Sequence, residues 1–182
     1  VGDLLAEGVK RMAEKLGVSQ DEAAHVKGLE IPMHDPRAFF GDAVDYATAP
    51  RGACHTKGDY YMVDMGRGVI EADIVPGERF ESSEGKGAMT ARYQNLRDLY
   101  NSLPLCILSN VISPEALATL LNNVTGMGFD AASILKAGER SFNLKQVINI
   151  KLGADEKDNK LPRIATAPLS EGSSYGKEPD ME

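Results

Sequence analysis

The chain has 182 residues, 42% of them hydrophobic, and a net charge of −7. This length and composition predict a folded domain with its own core rather than a disordered chain, and the negative charge argues against nucleic-acid or anionic-membrane binding. No apolar run approaches the roughly 20 residues that span a bilayer, and the first residues do not form a signal-peptide pattern. With only two cysteines, the chain is predicted to be cytoplasmic.

Helical periodicity and capping residues divide most of the chain into amphipathic helices. Three start signals are clear: Ser19 with Glu22, Ser113 with Pro114, and Asp130. The predicted helices cover residues 4–16, 19–27, 37–48, 86–103, 114–125 and 131–152.

Two parts of the chain lack this periodicity. Residues 58–85 are rich in glycine and acidic side chains, which predicts an irregular surface excursion that could include a short strand pair. After Pro162 the chain is rich in Gly, Ser, Pro and Glu, which predicts a tail that either wraps a partner surface or is mobile. The predicted fold class is therefore all-α, an irregular domain of several helices.

A cluster of chemically capable side chains lies in the loop at residues 46–58. Arg51 and Lys57 suit anionic oxygens, and His55 titrates near neutral pH and can move a proton. This pattern is typical of a site for an anionic, phosphate-bearing ligand with proton transfer beside it. A basic surface loop with a structural histidine is the alternative. His34, outside this loop, is predicted to be a hydrogen-bond partner at a helix start rather than a ligand.

A second candidate lies where Pro104 breaks the third long helix and Leu105, Cys106 and Ile107 follow at once. A thiol at such a break, between two apolar residues, is expected to be partly shielded and held in place. Thiolates hold iron–sulfur clusters, four per cluster, so a chain with two cysteines cannot close a cluster alone. A buried structural thiol and a Cys54–Cys106 disulfide are the alternatives.

These stretches together resemble the aldehyde ferredoxin oxidoreductase family, the tungsten-pterin enzymes of anaerobes. Residues 27–37 and 46–55 resemble successive family segments, and residues 101–106 are similar to its second pterin-binding motif, Asp-x-x-Gly-Leu-Cys. The resemblance implies a C-terminal piece that lacks the family's Cys-x-x-Cys-x-x-x-Cys run. Residues 1–26 would end the preceding helical domain or its linker, and residues 27–182 would form the C-terminal helical domain, with an extended tail from about residue 163.

The resemblance also implies a role for each candidate residue. His55 matches a histidine near the tungsten and is the proton-transfer candidate. Cys106 matches the fourth ligand of a four-iron–four-sulfur cluster. Residues matched to positions that contact or line the pterin are Arg51, Lys57, Asn101, Leu105 and Ile107.

Two residues depart from the family motif. Asn101 replaces an aspartate, and its amide offers one acceptor atom where a carboxylate offers two. Pro104 replaces a glycine, which removes a backbone donor and restricts φ. Both changes alter the expected contact with the pterin, and they leave open a divergent branch such as the tungsten subunit of benzoyl-CoA reductase.

The resemblance implies an enzyme that, at full length, oxidises a small aldehyde to a carboxylic acid. It implies a tungsten or molybdenum bis-pterin, a four-iron–four-sulfur cluster, and ferredoxin as the electron acceptor. The partners expected for this chain are the remainder of the parent enzyme and, as an option, a second copy in a homodimer. The chain by itself is expected to be inactive. A non-catalytic helical interaction module is the alternative of a different class.

Overall fold

The computed structural model describes residues 1–80, 84–109 and 111–181. Within them the fold is mostly helical, with one short hairpin, so the predicted all-α class is confirmed. The hairpin pairs β1, His25–Val26, with β2, Leu29–Glu30, in antiparallel orientation. The helices are α1 Gly2–Ala6, α2 Gly8–Leu16, α3 Phe40–Thr48, α4 His55–Gly58, α5 Tyr61–Asp64, α6 Glu84–Ser102, α7 Pro114–Thr125 and α8 Ala131–Lys151.

The first helical prediction is correct in extent but wrong in continuity. The segment at residues 4–16 forms two helices, because the chain turns at Gly8, whose φ of +83° lies outside the helical region. The second helix ends at Gly17 in the left-handed conformation, as the sequence predicts. Glycine adopts this conformation without the steric cost of a Cβ atom.

The helix predicted over residues 19–27 is wrong. Ser19 does cap, because its side chain accepts a hydrogen bond from the Asp21 backbone N–H at 3.2 Å, but only one 3-10 turn, Gln20–Glu22, follows. The chain then enters the β1–β2 hairpin, which reverses through positive φ angles at Lys27 and Gly28. A capping residue predicts where a helix can start, but tertiary contacts decide how far it continues.

The next two predictions need smaller corrections. The helix predicted from residue 37 begins at Phe40. Residues 58–85 are less irregular than predicted: they contain α5, a 3-10 turn at Ile70–Ala72 and an antiparallel bridge between Val69 and Ile74. Residues 81–83 of this prediction lie outside the described part of the chain.

The second half of the chain follows its capping signals closely. Ser113 accepts from the Ala116 N–H at 3.2 Å, and Asp130 forms a reciprocal capping box with Ser133, so the predicted starts of α7 and α8 are confirmed. Helical spacing predicts one apolar face for α8, which consists of Ile134, Leu135, Phe142, Val147, Ile148 and Ile150, but this face is only partly buried. Its buried members are Ile134 and Phe142, whereas its exposed members are Val147, Ile148 and Ile150.

Helix α6 lies at the centre of the fold, and α3, α4 and α8 pack against it. A smaller apolar cluster lies between α3 and the hairpin and includes Val26, Tyr46 and Leu161. This smaller cluster also contains Ala47 of α3 and Ala53 of the loop between α3 and α4, so it supports that loop. The main cluster includes Tyr60, Val63, Ile74, Tyr93, Leu96, Leu99, Tyr100, Leu117 and Ile134.

The first residues of the tail after Pro162 pack against the rest of the chain. They form a 3-10 turn at Arg163–Ala165, in which Ala165 is buried. Arg37 donates from Nη1 to the Ala167 carbonyl oxygen at 3.2 Å. In residues 1–80, 84–109 and 111–181, no helix has both the length and the apolar character that crossing a bilayer requires.

Candidate functional site

The loop between α3 and α4 is held from two sides by side chains of other elements. Gln146 of α8 donates to the Thr48 carbonyl oxygen at 2.7 Å. From the hairpin side, Lys27 donates to the carbonyl oxygens of Ala47 and Ala49 at 3.3 and 3.0 Å. Because these bonds satisfy backbone acceptors at the C-terminal end of α3, they fix where the loop that carries Arg51 begins. Burial lowers the pKa of Lys27.

Gly52 brings the loop against the hairpin. Its φ is +96°, and a Cβ atom there would lie 2.1 Å from the Val26 carbonyl oxygen. The neighbouring Ala49 and Ala53 are buried. The small residues of the loop therefore allow close approach of backbone to backbone within this chain, which accounts for them without a ligand.

Arg51 is exposed, but its guanidinium is anchored. Its Nη2 donates to the Cys54 Sγ at 2.7 Å, and the same sulfur lies 3.1 Å from the Thr56 Oγ1. Cys54 is buried, Cys106 is exposed and both are free, so the disulfide alternative is wrong. The Cys54 sulfur holds Arg51 in a defined orientation at the surface.

His55 is half-buried and belongs to a group of three aromatic rings. The His34 ring meets it edge-on at 4.8 Å between centroids and stacks on Tyr61 at 4.2 Å. Burial lowers the pKa of His55, His34 and Arg51 lower it further, and Asp59 opposes them. The imidazole of His55 is therefore biased toward its neutral, proton-accepting form.

His34 is a residue that the sequence prediction assigned to a different role. Its carbonyl oxygen accepts from the Tyr46 hydroxyl at 3.0 Å. Its ring atom Nδ1 is buried and has no hydrogen-bond partner among the described residues. The ring thus contributes through its contacts with Tyr61 and His55. No local sequence signal links positions 34 and 55, because the contact depends on how α4 and α5 fold back on the preceding segment.

Lys57 is half-buried on the short helix α4, and its backbone N–H donates to the Cys54 carbonyl oxygen at 3.0 Å. Burial lowers the pKa of Lys57, and the positive charges of Lys145 and Arg51 lower it further. Lys145 of α8 is itself paired with Asp98 of α6. Lys57 therefore lies where α4 approaches both long helices, in a region of concentrated positive charge.

A buried ion pair joins α4 to α6. Asp59, which follows α4 in the left-handed conformation, pairs with Arg97 at 3.6 Å, and both side chains are 1% exposed. Burial raises the pKa of Asp59, while Arg97 opposes this shift. The Nε and Nη1 atoms of Arg97 have no partner in the described part of the chain. This pair fixes α4, and so His55 and Lys57, against the central helix.

Two buried carboxyl groups of α3 lie under α4. Asp42 and Asp45 are both 0% exposed, and a Cβ atom on Gly58 would lie 2.0 Å from the Asp45 Oδ1. That oxygen accepts from Gln94 of α6 at 2.8 Å. Asp42 and Asp45 are not among the site residues predicted from the sequence. Two aspartates three positions apart in a mostly apolar helix are nevertheless a usable signal of a buried polar face.

Asn101 lies in the last turn of α6, one turn beyond Arg97. Its Nδ2 is buried and has no hydrogen-bond partner within the described residues. A buried amide donor without an acceptor is costly, so this group fits a ligand that offers an acceptor there. The aspartate of the family motif would offer only acceptors at this position, whereas the Asn101 Nδ2 is a donor.

The three residues after the end of α6 occupy different environments. Leu105 is half-buried and packs on the main core, and Ile107 is half-buried at the start of a 3-10 turn. Cys106 is exposed, so the expectation of a partly shielded thiol is wrong for this chain. An exposed thiol is accessible to a partner group.

The structure therefore brings α4, which carries His55 and Lys57, against α6, and Asn101 lies at the end of that helix. Arg51 lies in the loop that precedes α4. The Leu105–Ile107 stretch follows beyond α6. Within residues 1–80, 84–109 and 111–181, no group of three or more His, Cys, Asp or Glu side chains could hold a metal ion. Cys106 offers one thiolate, whereas an iron–sulfur cluster takes four.

Fold and site define a helical domain with an anchored cationic loop and an exposed thiol. A family model described as "Aldehyde ferredoxin oxidoreductase, domains 2 & 3" matches residues 1–182. The chain belongs to the aldehyde ferredoxin oxidoreductase family, which confirms the resemblance found in its motifs. Proteins of this family that resemble it are tungsten-containing oxidoreductases by name.

Among curated relatives, the tungsten-containing aldehyde ferredoxin oxidoreductase of Pyrococcus furiosus is 35% identical over 178 residues, which are 96% of this chain and 28% of the relative. The protein of the same name from Thermococcus kodakarensis is 34% identical over 179 residues, 97% of this chain and 29% of the relative. The chain thus spans less than a third of the length of these relatives.

Proposed function

We propose that this chain supplies one wall of a tungsten-pterin active site in an enzyme that oxidises aldehydes to carboxylic acids and passes electrons to ferredoxin. The observation that carries the proposal is the anchored Arg51 loop followed by α4, which holds His55 and Lys57 against α6. The last turn of α6 holds Asn101, whose Nδ2 has no hydrogen-bond partner among the described residues. The relatives named above are tungsten-containing aldehyde ferredoxin oxidoreductases, and this name supports the choice of metal and substrate class.

The residues of this chain fit such a cofactor by their chemistry. Arg51 and Lys57 would bind anionic oxygens of the pterin, and the Asn101 Nδ2 would donate to an acceptor on its ring edge. Leu105 and Ile107 would line its apolar side. When bound, tungsten (or molybdenum) supplies the redox chemistry and polarises the carbonyl oxygen.

The overall reaction defines what the protein residues must do. An aldehyde and one water yield a carboxylic acid, two protons and two electrons. The His55 imidazole, biased toward its neutral form, would accept one of these protons at a ring nitrogen. Cys106 would contribute one thiolate to a four-iron–four-sulfur cluster, and the cluster would pass the electrons singly to ferredoxin.

The remaining parts of the assignment follow from the same proposal. The other cluster ligands, and further contacts to the pterin, would come from the remainder of the parent enzyme, because this chain holds two cysteines in all. Residues 1–26 would end the preceding helical domain or its linker, with residues 27–182 as the C-terminal domain. We place the enzyme in the cytoplasm and leave a homodimer as an option.

The test of the proposal is His55→Ala in the full-length enzyme that contains this chain. Removal of the proton acceptor should lower aldehyde turnover by about 10²–10⁴-fold, because this is the usual contribution of a positioned acid or base. Tungsten content per protein should stay at the wild-type level, since His55 is assigned no ligand role. Turnover is measured with a ferredoxin or dye acceptor, and tungsten by elemental analysis.

His25→Ala is the matched control for this substitution. His25 is also half-buried, also has a pKa lowered mainly by burial, and hydrogen-bonds to Gln20 at 2.7 Å rather than to the loop. Its variant should retain wild-type turnover. Equal turnover in the His55→Ala and wild-type enzymes would remove His55 from the reaction, and loss of tungsten would show a structural role instead.

One observation favours a second candidate, a non-catalytic interaction module. The C-terminal half of α8 exposes several apolar side chains, and contiguous apolar surface marks contact with another protein. Metal analysis separates the two candidates: a full-length protein purified without tungsten and iron, under conditions that load its relatives, supports the module. Stoichiometric tungsten with aldehyde oxidation supports the enzyme, and turnover of an aromatic thioester alone would support the benzoyl-CoA reductase branch.

A further inference from the structure

The imidazole rings of His34 and His55 come together from two separate parts of the chain. Their centroids lie 4.8 Å apart at an angle of 86°. Tyr61 lies parallel to His34, with 4.2 Å between centroids and 27° between planes, and lies 6.4 Å from His55. Because Tyr61 supports the His34 ring from one face, the edge-on contact between the two histidines is a built arrangement rather than a contact between mobile side chains.

The surroundings of the pair provide little to stabilise two positive charges at once. Asp59 acts on both histidines, but it is already paired with Arg97 at 3.6 Å. The Nδ1 atom of His34 is buried and has no hydrogen-bond partner among the described residues. The charged groups around the pair are Asp59 and Arg51, which act on His55, Arg97 and Arg67, which act on Asp59, and Asp42, which acts on Tyr61.

Three of these five groups are guanidinium ions, which remain protonated across the whole range in which histidine titrates. A first proton on either imidazole is supported by Asp59. A second proton would place a positive ring about 5 Å from another positive ring in a partly dehydrated site, where like charges repel more strongly than in water. The two protonation steps of the pair must therefore be coupled.

We propose that His34 and His55 work as one coupled pair that binds no more than one proton at a time, with His34 as the positioning and proton-sharing partner of His55. Protonation of one ring opposes protonation of the other. A proton accepted by His55 can pass on to His34, directly or through a water, and leave the site from there. No electron or bond other than the N–H bond is involved.

The consequence for catalysis rests on the proposed function. Aldehyde oxidation releases protons at each turnover. When His34 takes the proton from His55, the His55 imidazole becomes neutral again and can accept a proton in the next turnover. Tyr61 would then act by holding the His34 ring in place. The pair itself, however, is a property of this chain and can be tested without cofactor or substrate.

The test is an NMR titration of the 182-residue chain, which contains three histidines in all. With the histidine rings labelled, the shifts of His34 and His55 are followed from about pH 4 to about pH 9, a range that brackets histidine titration. In the wild-type chain we expect the His55 ring to become protonated only below the pH at which an isolated histidine does, because burial, the neighbouring His34 ring and Arg51 oppose its positive charge. His25 should report one step and serves as the internal reference.

His34→Phe is the decisive variant, because phenylalanine keeps the stack on Tyr61 and cannot be protonated. In this variant, the His55 ring should titrate at a higher pH than in the wild-type chain, because the His34 imidazole that lowers its pKa is gone. His34→Asn also removes the imidazole and provides a second measurement if His34→Phe does not fold. His25→Phe is the matched control and should leave the His55 titration unchanged.

The same His55 titration midpoint in the wild-type and His34→Phe chains would refute the coupling between the two histidines. The result is separable from that of the proposed function. Failure of the pair with a retained effect of His55→Ala on turnover would leave His55 as an isolated base. If His34 affects the His55 titration in a protein that contains no tungsten and oxidises no aldehyde, the coupled pair is supported and the proposed function is refuted.

Discussion

At the scale of single residues, Asp42 is the least satisfied side chain near the site. It is 0% exposed, and neither carboxyl oxygen has a hydrogen-bond partner in the described part of the chain. The neighbouring Tyr46 hydroxyl donates its proton to the His34 carbonyl oxygen instead. Burial, together with the negative charges of Asp59 and Asp64, raises the pKa of Asp42 to about 7.

This raised pKa predicts a stability that depends on pH. The unfolded carboxyl has a pKa of about 3.9, so the folded state binds more protons than the unfolded state between that pH and about pH 7. The free energy of unfolding should therefore be highest at or below about pH 4 for this group and fall as pH rises to about 7. Asp42→Asn should reduce that fall, measured by denaturant unfolding at several pH values.

Asp3→Asn is the control for this prediction, because Asp3 is exposed in the first turn of α1. Its pH dependence should match that of the wild-type chain. The prediction fails if Asp42→Asn retains the full wild-type fall in stability between about pH 4 and about pH 7, since the proton would then be bound elsewhere.

At the scale of elements, the contact between α6 and α8 determines where the site is built. A glycine, Gly138, allows the close approach: a Cβ atom there would lie 2.3 Å from the Asn95 carbonyl oxygen and 3.0 Å from the Leu99 Cβ. The same contact brings Lys145 to Asp98. Because Gln146, one residue on, holds the loop that carries Arg51, the helix packing and the loop geometry depend on each other.

Gly138→Ala should therefore destabilise the protein by roughly 1–3 kcal/mol, because the added methyl group meets backbone atoms that cannot move independently. Gly87→Ala is the matched control within α6, since a Cβ atom at position 87 has nothing within 4 Å. It should stabilise by about 0.5–1 kcal/mol through helix propensity. Denaturant unfolding measures both changes, and equal stability of the two variants would show that the helices are not closely packed at Gly138.

At the scale of the whole molecule, Arg37 connects the start of the domain to its tail. Its guanidinium pairs with Asp35 at 2.7 Å and donates to the Ala167 carbonyl oxygen at 3.2 Å, and its side chain is 17% exposed. Positions 37 and 167 are 130 residues apart. This bond therefore ties the tail to the segment that positions His34.

Arg37→Ala should release the tail without unfolding the helices. The loss of one hydrogen bond to a charged donor should increase local opening by about ten- to a hundredfold, measured as faster limited proteolysis within residues 168–181. Arg92→Ala is the control, because Arg92 pairs with Asp73 at the exposed surface and such pairs contribute little. Tail cleavage at the wild-type rate in Arg37→Ala would show that other contacts hold the tail.

Prediction from the sequence succeeded where the signal was local. The starts of α7 and α8 depend on caps at Ser113 and Asp130, whose hydrogen bonds reach three residues ahead. It failed at residues 19–27, where a valid cap at Ser19 leads into a hairpin because Val26 is buried against α3 and the loop. The predicted apolar face of α8 is wrong at its C-terminal end, where Val147, Ile148 and Ile150 are exposed. Periodicity shows which side chains share a face, but it does not show whether another element covers that face.

The sequence by itself determined the all-α class, the extents of the long helices and the chemical character of the Arg51–Lys57 loop, because periodicity, capping and side-chain type are local properties. Only the tertiary structure decided that His34 meets His55, that the carboxyl groups of Asp42 and Asp45 are buried beneath the loop, and that Cys106 is exposed. Those outcomes depend on how distant segments pack around α6, and burial and long-range contacts shift the pKa of a group away from the value that its side-chain type sets.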